Sequence, residues 1–190
     1  PSSFDLVVSN LALHWVNDLP GTLVQIRRAL KPDGLFLAAL FGGETLKELR
    51  GALPEADLAP SGGASPRVSP FAQVRDLGQL LQRAGFALPV VDADTVTVAY
   101  ADPAHLLADL RGMGEANATA ARRKSFSRRA LFAAALRNYP RAAALEGRVP
   151  ATFQIVYLTA WAPHETQPKP LRPGSAKASL AAALNDKDKT

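Results

Sequence analysis

Two stretches decide the fold of this chain: Phe4-Asp5-Leu6-Val7-Val8-Ser9-Asn10 and Leu35-Phe36-Leu37-Ala38-Ala39-Leu40-Phe41. Each is a short apolar run, and each gives way to polar or glycine residues, Ser9-Asn10 and Gly42-Gly43. Lacking an apolar/polar alternation, they read as strands buried on both faces, the pattern of a parallel sheet. Between them Asp18-Leu19-Pro20 opens a helix, with Asp18 as N-cap and Pro20 tolerated in the first turn. Leu23, Ile26 and Leu30 give that helix one apolar stripe. Lys31-Pro32-Asp33-Gly34 then closes it as a turn, with Gly34 expected at a positive φ. Strand, helix, turn and strand make a βαβ unit, which implies a right-handed crossover and parallel pairing.

Outward from this unit the pattern stays α/β. Residues 44–53 read as a short helix, and 54–70, rich in Pro, Gly, Ser and Ala, as an exposed loop. Residues 71–84 form an amphipathic helix with Gly85 at its C′ position. Two strands follow, at 88–92 and 95–100, and then helices at 103–112 and 127–145. A last strand runs from Val149 to Trp161, with Phe153, Ile155, Tyr157 and Thr159 on one face. The expected organisation is a mostly parallel sheet domain over 1–100, a basic helical insertion or cap over 101–148, the last strand over 149–163 and a disordered tail over 164–190.

Composition narrows the chemistry. The chain has 190 residues, 47% hydrophobic and 21% charged, enough for one domain with a true core. It has no cysteine, which excludes disulfides, thiolate metal sites and a cysteine nucleophile. No apolar run is longer than Leu35–Phe41, far below the ~20 residues a membrane helix needs. There is no initiator Met, and the chain reads as a piece of something longer. The net charge of +5 is uneven, since residues 1–100 sum to −2 and residues 101–190 to +7. All of that excess lies in 111–148, with nine basic and two acidic side chains, around Arg122, Arg123, Lys124, Arg128 and Arg129. Such a patch suits an acidic protein partner. Nucleic acid is not expected, because Phe126 alone is available there to stack on a base. His14, His105 and His164 have no ligand spacing, so no metal site is expected. No Gly-x-Gly-x-x-Gly and no Gly-x-x-x-x-Gly-Lys occurs to cradle a phosphate.

Several segments carry a family resemblance. Phe4 to Pro20, followed by Leu30-Lys31-Pro32-Asp33-Gly34 and an apolar strand, resembles the fourth and fifth strands of class I S-adenosylmethionine-dependent methyltransferases. Phe41-Gly42-Gly43-Glu44-Thr45-Leu46, Leu110 to Asn117 and Val149 to Tyr157 resemble one group within them. That group holds the malonyl-acyl-carrier-protein methyltransferase of biotin synthesis and, more closely, mitochondrial complex I assembly factors described as protein-arginine hydroxylases. The resemblance implies the carboxy-terminal half of a Rossmann-like methyltransferase sheet, with a helical insertion before its last strand. It implies S-adenosyl-L-methionine as cofactor, although the glycine motif and the ribose-binding acid of the family are not in this sequence. Bacterial members would be cytoplasmic and eukaryotic ones would face the mitochondrial matrix.

Open α/β sheets bind ligands beyond the carboxyl ends of their strands. Asn10 and Leu11 are therefore expected on the cofactor side. His14 and Trp15, with Phe41 and Gly42 at the end of the next strand, are expected in the acceptor pocket. Methyl transfer from a sulfonium mainly requires positioning. A carboxylate acceptor is already a nucleophile and needs no base, which suits a sequence with no visible triad. The competing expectation is an assembly factor that hydroxylates arginine or acts as a chaperone.

Overall fold

The computed structural model describes residues 1–53, 67–118, 122, 129–168 and 175. Its four strands are β1 (Phe4–Asn10), β2 (Leu30–Phe41), β3 (Ala87–Tyr100) and β4 (Val149–Trp161), in the sheet order β1-β2-β4-β3. β1 and β2 pair in parallel, and β4 lies antiparallel between β2 and β3. The sheet is thus mixed, not mostly parallel as expected. The last strand in sequence enters its middle.

The local signals of the βαβ unit translate into geometry. Helix α1 (Leu19–Ala29) starts at Asp18, whose carboxylate accepts a hydrogen bond of 2.9 Å from the Gly21 amide. A Cβ on Gly21 would crowd the Asp18 carboxylate, so a side chain there would shift the capping group. The Lys31–Gly34 turn is a bulge inside β2, because Phe4 pairs with Leu30 while Leu6 already pairs with Leu35. Asp33, not Gly34, takes the left-handed backbone, at φ 62°. An Asp side chain tolerates that region better than most. Gly34 is needed for space instead, since a Cβ on it would lie 2.9 Å from the Lys31 carbonyl oxygen and 3.2 Å from that of Phe4.

The sheet buries one face. Phe36, Ala38 and Leu40 of β2, with Val156, Leu158 and Ala160 of β4, pack against Leu23 of α1 and against Leu77 and Leu81 of α3 (Val74–Arg83). Helix α3 begins three residues later than expected. It ends as foreseen, with Gly85 at φ 83° and the amides of Gly85 and Phe86 bonding the carbonyls of Gln82 and Leu81. These two bonds form a Schellman closure. The expected strands at 88–92 and 95–100 are one continuous β3, bulged where Leu88 stands at φ 50°.

The other face is open. Phe4, Leu6 and Val8 are 55, 49 and 62% exposed, which corrects the reading of β1 as a strand covered on both sides. Val8 pairs with Leu37, Leu37 with Thr159 and Thr159 with Val90, so these residues share one face across all four strands, with Asp92 and Asp94 beside the valines of β3. Val90, Val96, Val98 and Tyr157 are exposed on it.

A second, smaller core forms the cap. Helix α2 (residues 47–53), helix α4 (Pro103–Gly112), helix α5 (Arg129–Arg137) and the start of β4 enclose Leu49, Leu53, Leu106, Leu110, Ala135, Tyr139 and Val149. Asp102 caps α4 by accepting from the Ala104 and His105 amides. Helix α5 is far shorter than the expected 127–145. Pro140 disfavours helix in the residue before it, and a short 3-10 turn at Ala143–Leu145 follows. The start of the expected tail is a turn at 164–168, where Gln167 donates to Asp33 at 2.8 Å. Most of the 54–70 loop and most of the residues beyond 168 lie outside the described residues.

Gly34→Ala should destabilise the chain by roughly 1–3 kcal/mol, the usual cost of forcing extra volume into a packed site. Gly51→Ala, with nothing within 4 Å of the added carbon, should instead stabilise α2 by ~0.5–1 kcal/mol. Urea titration of both variants checks the contrast.

Candidate functional site

A cavity of about 420 Å³ lies beyond the carboxyl ends of β1 and β2, where the cap meets the sheet. It is built from three directions. After β1 the chain turns through Leu11, at φ 47°, whose amide still donates to the Ala39 carbonyl at 2.8 Å. A single 3-10 turn, Leu13–Trp15, then buries Leu13 and sets His14 and Trp15 on the cavity wall. Phe41 ends β2 on the same wall, and Phe71 and Phe153 complete an aromatic group. The His14 ring centroid lies 4.9 Å from Phe41, 5.4 Å from Trp15 and 6.0 Å from Phe71.

The second side is the loop after β2. Gly42 N donates to the Gln154 carbonyl at 2.8 Å, and Glu44 N to its side-chain oxygen at 3.2 Å. The buried Thr45 hydroxyl both donates to the Gln154 carbonyl at 3.0 Å and accepts from its amide at 3.1 Å. Arg50 donates to the Gly43 and Thr45 carbonyls, at 2.9 and 2.8 Å. The loop is therefore held to β4 by its amides and the Thr45 hydroxyl, and Leu46, with Leu49 and Leu53 of α2, faces the cavity.

The cap supplies the third side through Leu107, Leu110, Arg111, Glu115, Ala116, Asn117 and Phe132. Its own polar groups are tied down. Glu48 accepts from the Thr152 amide at 3.1 Å and from the Thr152 hydroxyl. Tyr139 donates to the Pro150 carbonyl at 2.9 Å. Burial, reinforced by Glu48 and Tyr100, pushes the Tyr139 hydroxyl far above its ordinary value, so it stays a proton donor. Tyr100 is raised as well, by burial and by Asp109.

The structure thus brings His14, Trp15 and Phe41 together on one wall. Gly42 stands behind that wall, where a Cβ would lie 2.5 Å from the Gln154 side chain. Asn10 and Leu11 lie at the β1 end but do not line the cavity. Of the expected docking cations, Arg122 faces the cavity and Arg129 is exposed at the start of α5. Arg123, Lys124 and Arg128 lie outside the described residues. Tyr100, Tyr139 and Tyr157 do not line the cavity.

Sequence reasoning missed Glu115. Its carboxylate oxygen lies 3.5 Å from His14 Nε2, with the His14 side chain 4% exposed. Its signals were its place in the Leu110–Asn117 segment and its being one of two acids in a stretch with nine cations. Burial lowers the pKa of His14 and outweighs the opposing pull of Glu115. His105 pairs with Asp102 and His164 with Thr166, and neither lines the cavity. Among the described residues no group of three His, Cys, Asp or Glu could hold a metal ion. No helix among them is long and apolar enough to cross a membrane.

The cavity lies at the carboxyl ends of parallel strands, where open α/β sheets take their ligands. Residues 1–89 match the profile of a methyltransferase domain. Over 180 residues it is 48% identical to a zebrafish (Danio rerio) protein named arginine-hydroxylase NDUFAF5, mitochondrial, covering 95% of this chain and 56% of the relative. It is 39% identical to a malonyl-[acyl-carrier protein] O-methyltransferase of Gallionella capsiferriformans, over 92% of this chain and 57% of that protein. The chain thus spans little more than half the length of the curated relatives it matches. In fold it resembles a candidate methyltransferase from Bacillus halodurans, with a TM-score of 0.52 at 11% identity, covering 86% of this chain and 71% of the other.

Because the folded chain holds His14 neutral, its contribution to stability is present above the unfolded imidazole pKa near 6.5 and is lost as pH falls through the lower folded value. The stability advantage of the natural protein over His14→Gln should shrink as pH falls from 7.5 toward 5. Urea midpoints measured across that range read this directly.

Proposed function

We propose that this chain is the acceptor-binding, carboxy-terminal half of an S-adenosylmethionine-dependent methyltransferase-family domain, acting on a carboxylate, small-molecule or protein acceptor. The observation that carries the reading is the position of the cavity: it lies beyond the carboxyl ends of β1 and β2, where open α/β sheets take their ligands. Residues 1–100 and 149–163 serve as core, and 101–148 as a cap over the acceptor. Arg67, Arg111 and Arg122 on the wall favour an acceptor with acidic character. His14, Trp15 and Phe41 give it a flat aromatic floor.

The cofactor fits this chain on one side only. Asn10 ends β1 exposed, with an amide that can donate and accept, and Leu11 turns the backbone away beside it. No glycine-rich phosphate turn and no carboxylate for ribose hydroxyls stands next to them among the described residues. S-adenosylmethionine would supply the electrophilic methyl group, and Asn10 and Leu11 would limit where its nucleoside lies. The cheapest test joins this chain to the amino-terminal half of a relative and titrates S-adenosylhomocysteine by calorimetry. Saturable binding, weakened several-fold by Asn10→Ala, is the expected result; absence of any heat in the unmutated fusion would overturn the reading.

A second reading is favoured by the 48% identity to proteins named arginine-hydroxylase. The aromatic rings and Glu115 also suit a guanidinium. In that reading the chain is part of a respiratory complex I assembly factor, in the mitochondrial matrix if eukaryotic and the cytoplasm if bacterial. Both readings allow an acidic protein partner, a carrier protein or a respiratory subunit, drawn to the basic segment at 122–129. Capture of an acidic acyl-carrier protein should then weaken steeply between roughly 50 and 500 mM salt. Salt-independent capture would remove the charge argument.

A further inference from the structure

One polar side chain inside the cavity is left without a match. The His14 ring is enclosed by Trp15, Phe41 and Phe71, and among the described residues neither of its nitrogens makes a hydrogen bond. Buried polar atoms are normally paired, and those that are not often mark a place where a ligand completes the bonding. Glu115 Oε1, 3.5 Å from Nε2, is too far for a well-formed hydrogen bond but close enough to act electrostatically. A carboxylate on that side favours the tautomer with its proton on Nε2, which leaves a lone pair on Nδ1. The other charged groups on the cavity wall, Arg67, Arg111 and Arg122, are cations that oppose a charged imidazole.

We propose that His14 is the proton acceptor of the cavity, with Glu115 as its positioning residue, and that the group seated there carries an O–H or N–H. The proposal rests on the methyl-transfer reading and narrows its acceptor. The oxygen or nitrogen lone pair forms the new bond to the methyl carbon of a sulfonium donor. The carbon–sulfur bonding pair stays on sulfur, and the O–H or N–H proton passes to Nδ1. The resulting imidazolium faces Glu115, which stabilises it until solvent removes the proton. A free carboxylate brings no such proton and would leave Nδ1 unmatched.

Long-range proton–nitrogen NMR on the histidine-labelled chain tests this without any methyl transfer, the His14 signals being assigned by their loss in His14→Gln. The expected spectrum shows His14 as the Nε2–H tautomer, turning into a mixture in Glu115→Gln, a change confined to a partly exposed side chain. Saturating 1-hexanol should shift the Nδ1 resonance as it accepts a hydrogen bond, while hexanoate should leave it in place. An Nδ1–H tautomer, a tautomer indifferent to Glu115→Gln, or an Nδ1 signal unmoved by the alcohol each overturns the proposal. Failure of cofactor binding would sink the methyl-transfer reading alone, since none of these signals depends on it.

Discussion

The hydrogen bonds between residues 42–45 and Gln154 of β4 are what the rest of the structure depends on. They join segments more than one hundred residues apart and satisfy both the turn after β2 and the middle of β4. Thr45 stands in for a neighbouring strand, since its single hydroxyl donates to and accepts from one main-chain residue. Because Thr45 is buried, neither partner could turn to water instead. With this loop fixed, Phe41 and Leu46 have defined positions, and the cavity has two of its three walls before the cap is added.

The cap is fastened by fewer and different contacts. Glu48 reaches Thr152, Tyr139 reaches Pro150, and Glu115 approaches His14. The first two tie cap elements to β4, whereas the last is the direct polar approach between the cap and the loop after β1. The cavity is therefore bounded by the end of the sheet on one side and by a helical layer on the other. Its walls are mainly apolar, with the charges supplied chiefly by the cap.

Much of this was legible in the sequence, for reasons that are local. Asp18 with Pro20, Gly85 after α3 and the apolar run of β2 act within a few residues, and each produced the expected cap, closure or strand. β1 was misread because its composition matches a buried strand, while burial is a property of what lies over it. Gly34 was assigned the wrong task, since only the paired strand reveals that the Phe4 carbonyl approaches it. The mixed order of the sheet arises from β4 pairing with residues far away in sequence, which no local pattern reports. At the site, His14, Trp15 and Phe41 were found from their place at strand ends. Glu115 was not, because it reaches His14 across a hundred residues of intervening chain.

The central place of β4 also governs how the chain can be assembled as it is made. Among the described residues β3 has only β4 to pair with. Until residues 149–161 leave the ribosome, its fourteen residues have no ladder to join, and β2 has one free side. The sheet is thus completed by a late, long-range closure, of the kind that slows folding and leaves strand edges available to wrong partners. Synthesis rate and chaperone access over that interval then bear on yield as directly as the packing of the finished core.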